Sequence, residues 1–555
     1  MKRNFFALLL TITLLLPSAA FGQTAVKISP AERAMAAGVT AGQLKQYLYF
    51  VASDAMGGRD TPSQGLDVTA EFIKMNLWKW GFKPAGDNGT FFQKMTLNRE
   101  VVDAATAFIE VGGQRYTIGE EFFRMAGNTA GTLDKPLVFA GNGWLVKSKN
   151  IDAYAGLDVS GKIVVVQMQG APTNSSLIIL PKGVTRADLK PEAKGTDWAD
   201  PVAYAKQKGA AGVIYIASPE VQGFWGQLKQ FLGSGGAMKV KGLEDEPAAA
   251  AVSTLPVILA SQKVGEALFA GETGNSVKKP DTAPFAFSPA KKVEISAAAK
   301  TESATAQNVV AIWEGSDPVL KNEMVAIGAH YDHVGTNPNA PGPDKVWNGA
   351  DDDGSGTVAV LAIAEALAKA KTRPKRSILF VWHAGEEKGL WGSEYFNKFP
   401  TVNIKNVVAQ LNIDMIGRSR KADDANPKNK DLSGENAIYV IGSEMMSSTL
   451  GAITKKTNDA YLKMTYDYKY DDPKDTNRFF FRSDHFNYAV NGIPVAFWFD
   501  GVHEDYHGPG DHADKIDYAK MEKITRTIML TMLEISDLKE RPKVDKQLPP
   551  ELMQR

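Results

Sequence analysis

The 555-residue chain contains no cysteine. That absence excludes disulfides, thiolate metal sites, iron–sulfur clusters and cysteine nucleophiles together. Any bound metal must be held by His, Asp and Glu. There is no excess of charge of either sign, since Lys+Arg and Asp+Glu both total 63. Neither a nucleic-acid-binding basic surface nor an acidic solvating tail is indicated. After the N-terminus there is no uninterrupted apolar run of 18 residues, the length of a bilayer span. Histidine is missing from the first 329 residues; all seven lie between His330 and His512. Histidine-dependent chemistry therefore belongs to the C-terminal half.

What is present is ordinary globular composition, 44% hydrophobic and 23% charged, in a chain long enough for several domains. Lys2 and Arg3 precede an apolar run from Phe5 to Leu16, then Ala20-Phe21-Gly22. This is the pattern of a signal peptide over 1–22. It predicts an exported protein, periplasmic or extracellular, with no membrane association after cleavage. Residues 41–82 read as helices around a turn-rich loop, Ser53 to Asp60. From 91 to 116 the pattern shortens to strands. Residues 130–290 read as an inserted β-rich domain, with one helix at Asp200 to Lys208 and a mobile Gly- and Lys-rich loop over Gln227–Glu246. Residues 23–129 and 291–540 then make one catalytic domain, followed by a tail, 541–555. From Asn308 onward strands alternate with helices, which predicts an α/β fold with a mixed, largely parallel sheet flanked by helices.

In such sheets ligands sit beyond the carboxyl ends of strands. Acidic and imidazole residues gather there: His330-Tyr331-Asp332-His333, Asp351-Asp352-Asp353-Gly354-Ser355-Gly356, Glu386-Glu387, Asp414 and Asp505-Tyr506-His507. Burying several carboxylates together is very costly without compensation, and divalent cations supply it. Two His and three carboxylates suit Zn²⁺. The simplest assignment bridges two ions with Asp352, one taking His330 and Asp414, the other Glu387 and His507. Glu386 is then free to act as general base. Asp332 is placed to hold the other ring nitrogen of His330.

These motifs resemble metallopeptidase family twenty-eight, the two-zinc exopeptidases of bacterial aminopeptidase type, over about 308–530. The matching pieces are His330-Tyr331-Asp332, Asp352-Asp353-Gly354-Ser355-Gly356, Glu386-Glu387, Asp414-Met415-Ile416-Gly417 and Tyr506-His507, with Ser483-Asp484-His485 before the last. Ser53-Asp54 through Gly58-Arg59 is similar to the family's N-terminal stretch. The resemblance implies a zinc exopeptidase fold, two Zn²⁺ ions, peptide substrates, a cis peptide after Asp352, and Tyr506 stabilising the tetrahedral intermediate. The insert resembles a protease-associated domain. The run of three Asp leaves open which one bridges. Rival readings are a glutamate-carboxypeptidase-type exopeptidase, which needs arginines in the pocket, and a glutaminyl cyclase-like enzyme. His333, His383, His503 and His512 carry no role from the resemblance. Oligomeric state is not legible.

Overall fold

The computed structural model describes residues 26–129, 131–170, 179–232, 238–243 and 255–548. The expected signal peptide, 1–22, lies outside the described residues. The chain divides into two compact units. One comprises Met1–Phe92, Val309–Ser393 and Pro400–Arg555; the other Gln93–Asn308 and Glu394–Phe399.

The first unit is built on a mixed sheet. Strands Ser377–His383, Met324–His330, Val407–Ile413 and Val495–Phe499 lie side by side and parallel. Val309–Trp313 pairs antiparallel with Ser377–His383 at one side. Ala437–Ile441 pairs antiparallel with Val495–Phe499 at the other, and Thr465–Asp467 follows it in parallel. All four central strands are buried along their whole length. This explains their near-continuous apolar runs, as expected where helices cover the faces of a parallel sheet.

Helices Gly356–Lys369 and Tyr518–Ser536 pack on Met324–His330 and on each other, and Ala41–Val51 packs on both. The predicted spacing in Gly356–Lys369 marks one apolar face, but the helix is buried on nearly all sides because other helices cover its back. Local sequence explains the starts. Thr40 and Gln43 form a reciprocal capping box, and Ser63 and Asp517 accept from the N–H groups of Leu66 and Lys520. In Tyr518–Ser536 the buried Thr525, Thr527 and Thr531 hydroxyls donate to carbonyls one turn back, so no hydroxyl is stranded in the core.

The second unit carries a six-stranded sheet. Its inner strands Leu137–Phe139, Ile163–Gln167, Gly212–Ile216 and Val257–Ala260 are parallel, flanked antiparallel by Phe285–Ala286 and Phe122–Ala126. A four-stranded antiparallel sheet packs with it around Phe139, Phe269 and Ile109. The expected single helix, Pro201–Gln207 with Asp200 as its cap, is joined by others, including Gln262–Phe269. The loop reading of Gln227–Glu246 is corrected over its first part. Trp225–Leu232 is a helix, because Trp225, Leu228 and Leu232 share one face and pack on Phe123, Met168 and Leu259. The Gly and Lys content downstream hides that short period. Among the described residues no helix is long and apolar enough to cross a membrane.

Candidate metal centre and active site

Every element that brings a charged group into the site ends at the same edge of the first unit's sheet. His330 is the last residue of its strand. Its ring is buried, with Nε2 3.3 Å from Asp352 Oδ1, 3.6 Å from Asp414 Oδ1 and 4.0 Å from Glu386 Oε2. Asp414 follows the strand Val407–Ile413, and its Oδ2 accepts the Ser483 hydroxyl at 2.5 Å. The second group faces the other side of the same carboxylate. His507 Nε2 lies 3.0 Å from Asp352 Oδ2 and 3.0 Å from Glu387 Oε2, and His333 Nδ1 lies 2.9 Å from Glu387 Oε1. Asp352 thus stands between two clusters, one oxygen toward each.

The turn that carries Asp352 is held from below. Asp511 accepts the N–H groups of Asp351 and Asp352, and Asp351 accepts from Gly417 N–H at 2.7 Å. The Asp352–Asp353 peptide is cis. Gly349 precedes the turn at φ 56°, where a Cβ would fall 2.4 Å from the His333 ring. Arg59, fully buried, donates to the carbonyls of Tyr331 (2.9 Å), Val51 (2.9 Å), Asn348 (2.6 Å) and Gly349 (2.8 Å). One guanidinium therefore ties the loop after His330 to the loop before Asp352.

The structure brings together His330, Asp352, Glu386, Glu387, Asp414 and His507. Tyr506 stacks on His507 with ring centroids 4.0 Å apart and lines a small pocket with Asp352, Glu386 and Asp414. Asp332 faces the other ring nitrogen of His330 and also reaches beyond it. Its carboxylate stands 3.6 Å from His330 Nδ1, and the closer contact to that nitrogen, 3.2 Å, is its own main-chain carbonyl. The carboxylate also accepts Glu386 N–H and the Thr61 hydroxyl. It anchors the Glu386 backbone.

Two residues beyond the expected set enter the clusters. His330, Asp353 and Asp414 can converge on one point, and His333, Asp352 and Glu387 on another. Asp353 is already engaged, accepting from the N–H groups of His330, Gly356 and Met415. His333 is not: neither ring nitrogen makes a hydrogen bond, and Asp352 Oδ2 and Glu387 Oε1 also lack one. Its position three residues after His330 was the only signal in the sequence. The other histidines lie apart from these clusters. His383 faces Asp484 and Tyr488, His503 faces Asp351, His485 stacks on Phe497, and His512 faces Asp344.

The electrostatics follow from burial and crowding. Burial alone would lower His330, but Asp414 and Glu386 hold it well above its ordinary value. Burial likewise opposes protonation of His507, yet Asp352 and Glu387 push it up to about 10. Against the cost of their own burial, Asp352 and Glu387 are pulled down by the facing imidazoles. Burial raises Glu386 well above the carboxylate range, with only His330 opposing it and Glu387 and Asp414 adding to the rise. Buried imidazole nitrogens and carboxylate oxygens without partners, converging from several loops, form a donor set that fits zinc.

Residues 308–532 match the family model described as Peptidase family M28. This segment is similar to the M28 peptidases. Residues 133–268 match the PA domain, so a PA domain precedes the M28 segment in the chain. A probable leucine aminopeptidase of Arthroderma otae is 31% identical over 237 residues, 40% of this chain and 58% of the relative. A leupeptin-inactivating enzyme of Streptomyces exfoliatus is 36% identical over 118 residues, 21% of this chain and 24% of the relative. The chain spans just over half the length of the first curated relatives it matches, 58%, 54% and 54%. Among solved structures, the aminopeptidase from Aneurinibacillus sp. strain AM-1 aligns with TM-score 0.47 at 17% identity, over 93% of this chain and 98% of that one.

Proposed function

We propose that this chain is an exported, zinc-dependent aminopeptidase that hydrolyses N-terminal residues from peptides. The observation that carries the reading is Asp352 standing between two His–carboxylate clusters, with Glu386 at their edge and no hydrogen-bond partner for Asp352 Oδ2. The likeness of residues 308–532 to the M28 family and the names of the relatives support it. Two zinc ions are proposed: His330 and Asp414 would hold one, Glu387 and His507 the other, and Asp352 both. Asp352 is the better bridge than Asp353, because the Asp353 oxygens are occupied by three main-chain N–H groups.

When bound, zinc supplies polarisation of a carbonyl and acidification of water. The chain's own groups do the rest. Glu386, at the edge of the clusters, takes a proton from the attacking water and delivers it to the leaving amine nitrogen. Asp332 holds the Glu386 backbone in place. Tyr506, fixed against His507, donates its hydroxyl to the oxygen that becomes negative in the tetrahedral state. The pocket beside Asp414, walled by Met415, Phe479, Phe497, Phe499 and Arg482, takes the side chain of the first residue.

The test is Glu386→Gln in the zinc-loaded protein. It is expected to cut kcat by roughly 10²–10⁴-fold while two zinc ions per chain remain bound. Activity above about a tenth of wild type would remove Glu386 from the general-base role. An N-acetylated tripeptide should not be cleaved where the free tripeptide is; cleavage of both would overturn the aminopeptidase reading.

A further inference from the structure

Two guanidinium groups at the mouth of the site are unaccounted for by that reaction. An open groove runs from Glu386 and Glu387 past Tyr506 to Arg478 and Arg482; Glu386, Tyr506 and Arg482 also line the aromatic pocket, whereas Arg478 belongs to the groove alone. Among the described residues neither arginine forms an ion pair with a carboxylate. Arg478 lies over the Phe481 ring, 4.2 Å from its centroid, and Arg482 over Phe479 at 4.9 Å. Arg482 Nη2 donates to the Tyr506 hydroxyl at 3.3 Å. Arg418, by contrast, is paired with Asp505 at 2.9 Å.

The placement of Arg478 is built. Its backbone sits at φ 54°, a region in which a bulky side chain is uncommon and strained. The turn is clamped by Asp475, whose carbonyl accepts Arg478 N–H and whose carboxylate accepts Phe479 N–H. Phe479, Phe480 and Phe481 behind it are buried. The chain accepts a strained residue to present this guanidinium on a ring at the groove. A guanidinium seated on an aromatic face with its N–H edge open is arranged to receive a carboxylate in bidentate fashion.

We propose that Arg478 forms a carboxylate-recognition edge on the leaving-group side of the substrate, with Arg482 where the groove meets the aromatic pocket. It binds the terminal carboxylate of a short peptide, or an acidic side chain immediately after the scissile bond. The inference rests on the aminopeptidase reading and adds a substrate class: short peptides with a free C-terminus are preferred over long or blocked ones.

The experiment measures kcat and KM of the zinc-loaded full chain on a tripeptide as free acid and as C-terminal amide. It adds two amides carrying Glu or Gln as second residue. For wild type, amidation is expected to raise KM by roughly tenfold, the worth of one charge-assisted contact. Arg478→Gln should raise KM for the free acid by about the same factor and for the amide by far less, with Arg478→Lys in between and kcat little moved. If instead the Glu amide is preferred over the Gln amide, and Arg478→Gln removes that preference, the carboxylate recognised is the side chain's. Equal KM for acid and amide together with equal KM for the Glu and Gln amides overturns the inference, as does an Arg478→Gln effect of the same size on all four. In those cases cleavage of the amides still upholds the aminopeptidase reading. No cleavage of any substrate overturns both.

Discussion

Replacing Arg59 with Met tests whether one buried side chain holds the site together. The guanidinium is fully buried and donates four hydrogen bonds, all to main-chain carbonyls on three separate segments. Its charge also faces Asp332, Asp511, Asp353 and Asp352. Met fills much of the volume but donates nothing, so four buried carbonyls lose a donor and the carboxylates lose a counter-charge. Breaking a buried charged network from one side costs about 3–5 kcal/mol. For a unit of this size, about 2 °C of melting temperature per kcal/mol implies a fall of roughly 6 °C or more. Because the carbonyls belong to Tyr331, Asn348 and Gly349, next to His330 and before Asp352, zinc retention should fall with stability. Arg59→Lys should cost nearly as much, since an ammonium cannot span the three segments. Calorimetry of the three proteins, with zinc content after dialysis against chelator, makes the measurement. Melting of Arg59→Met within 2 °C of wild type with unchanged zinc would refute the reasoning.

Three further outcomes are expected. His333→Leu should lower the affinity for one zinc ion by roughly 10–100-fold in a chelator competition; unchanged affinity would make His333 a bystander despite its 2.9 Å approach to Glu387. Glu534, half-buried near Glu32 and Asp537, is pushed up to about 7 by burial and those like charges. The folded state then binds its proton more tightly than the unfolded chain, so its favourable contribution is full below about pH 4.3 and is lost as pH rises through about 7. Glu534→Gln should therefore melt with wild type near pH 4 and above it at pH 8, by about 1 kcal/mol after allowing for solvent screening; a gap that shrinks with pH would refute the assignment. In the second unit, Phe139→Ala removes a ring lying 5.3 Å from Phe269 and 5.7 Å from Phe285. It should cost about 3–5 kcal/mol in denaturant unfolding, and a loss under 1 kcal/mol would mean that this core collapses around the gap.

Much of the first unit was legible because its parallel strands are apolar along their length and its helices carry a periodic apolar spacing. Met324–His330, Ser377–His383, Val407–Ile413 and Gly356–Lys369 could be bounded to within a residue or so. The helix Trp225–Leu232 was not, since eight residues give barely two turns of periodicity and the neighbouring Gly and Lys content dominates the window. The chemistry at the site was legible by type: without cysteine only His and carboxylates can hold a metal, and the sheet rule gathers strand ends at one edge. Spacing alone could not rank neighbours within a motif. Whether Asp352 or Asp353 faces the clusters depends on which oxygens main-chain N–H groups already occupy. That Asp332 faces the His330 ring and holds the Glu386 backbone as well depends on how the chain turns after the strand. His333 and Arg59 meet the site through segments up to hundreds of residues away in sequence, where no local period reports a contact. Residue chemistry and local periodicity are properties of the chain; which of two adjacent side chains points inward is decided only when distant segments pack against them.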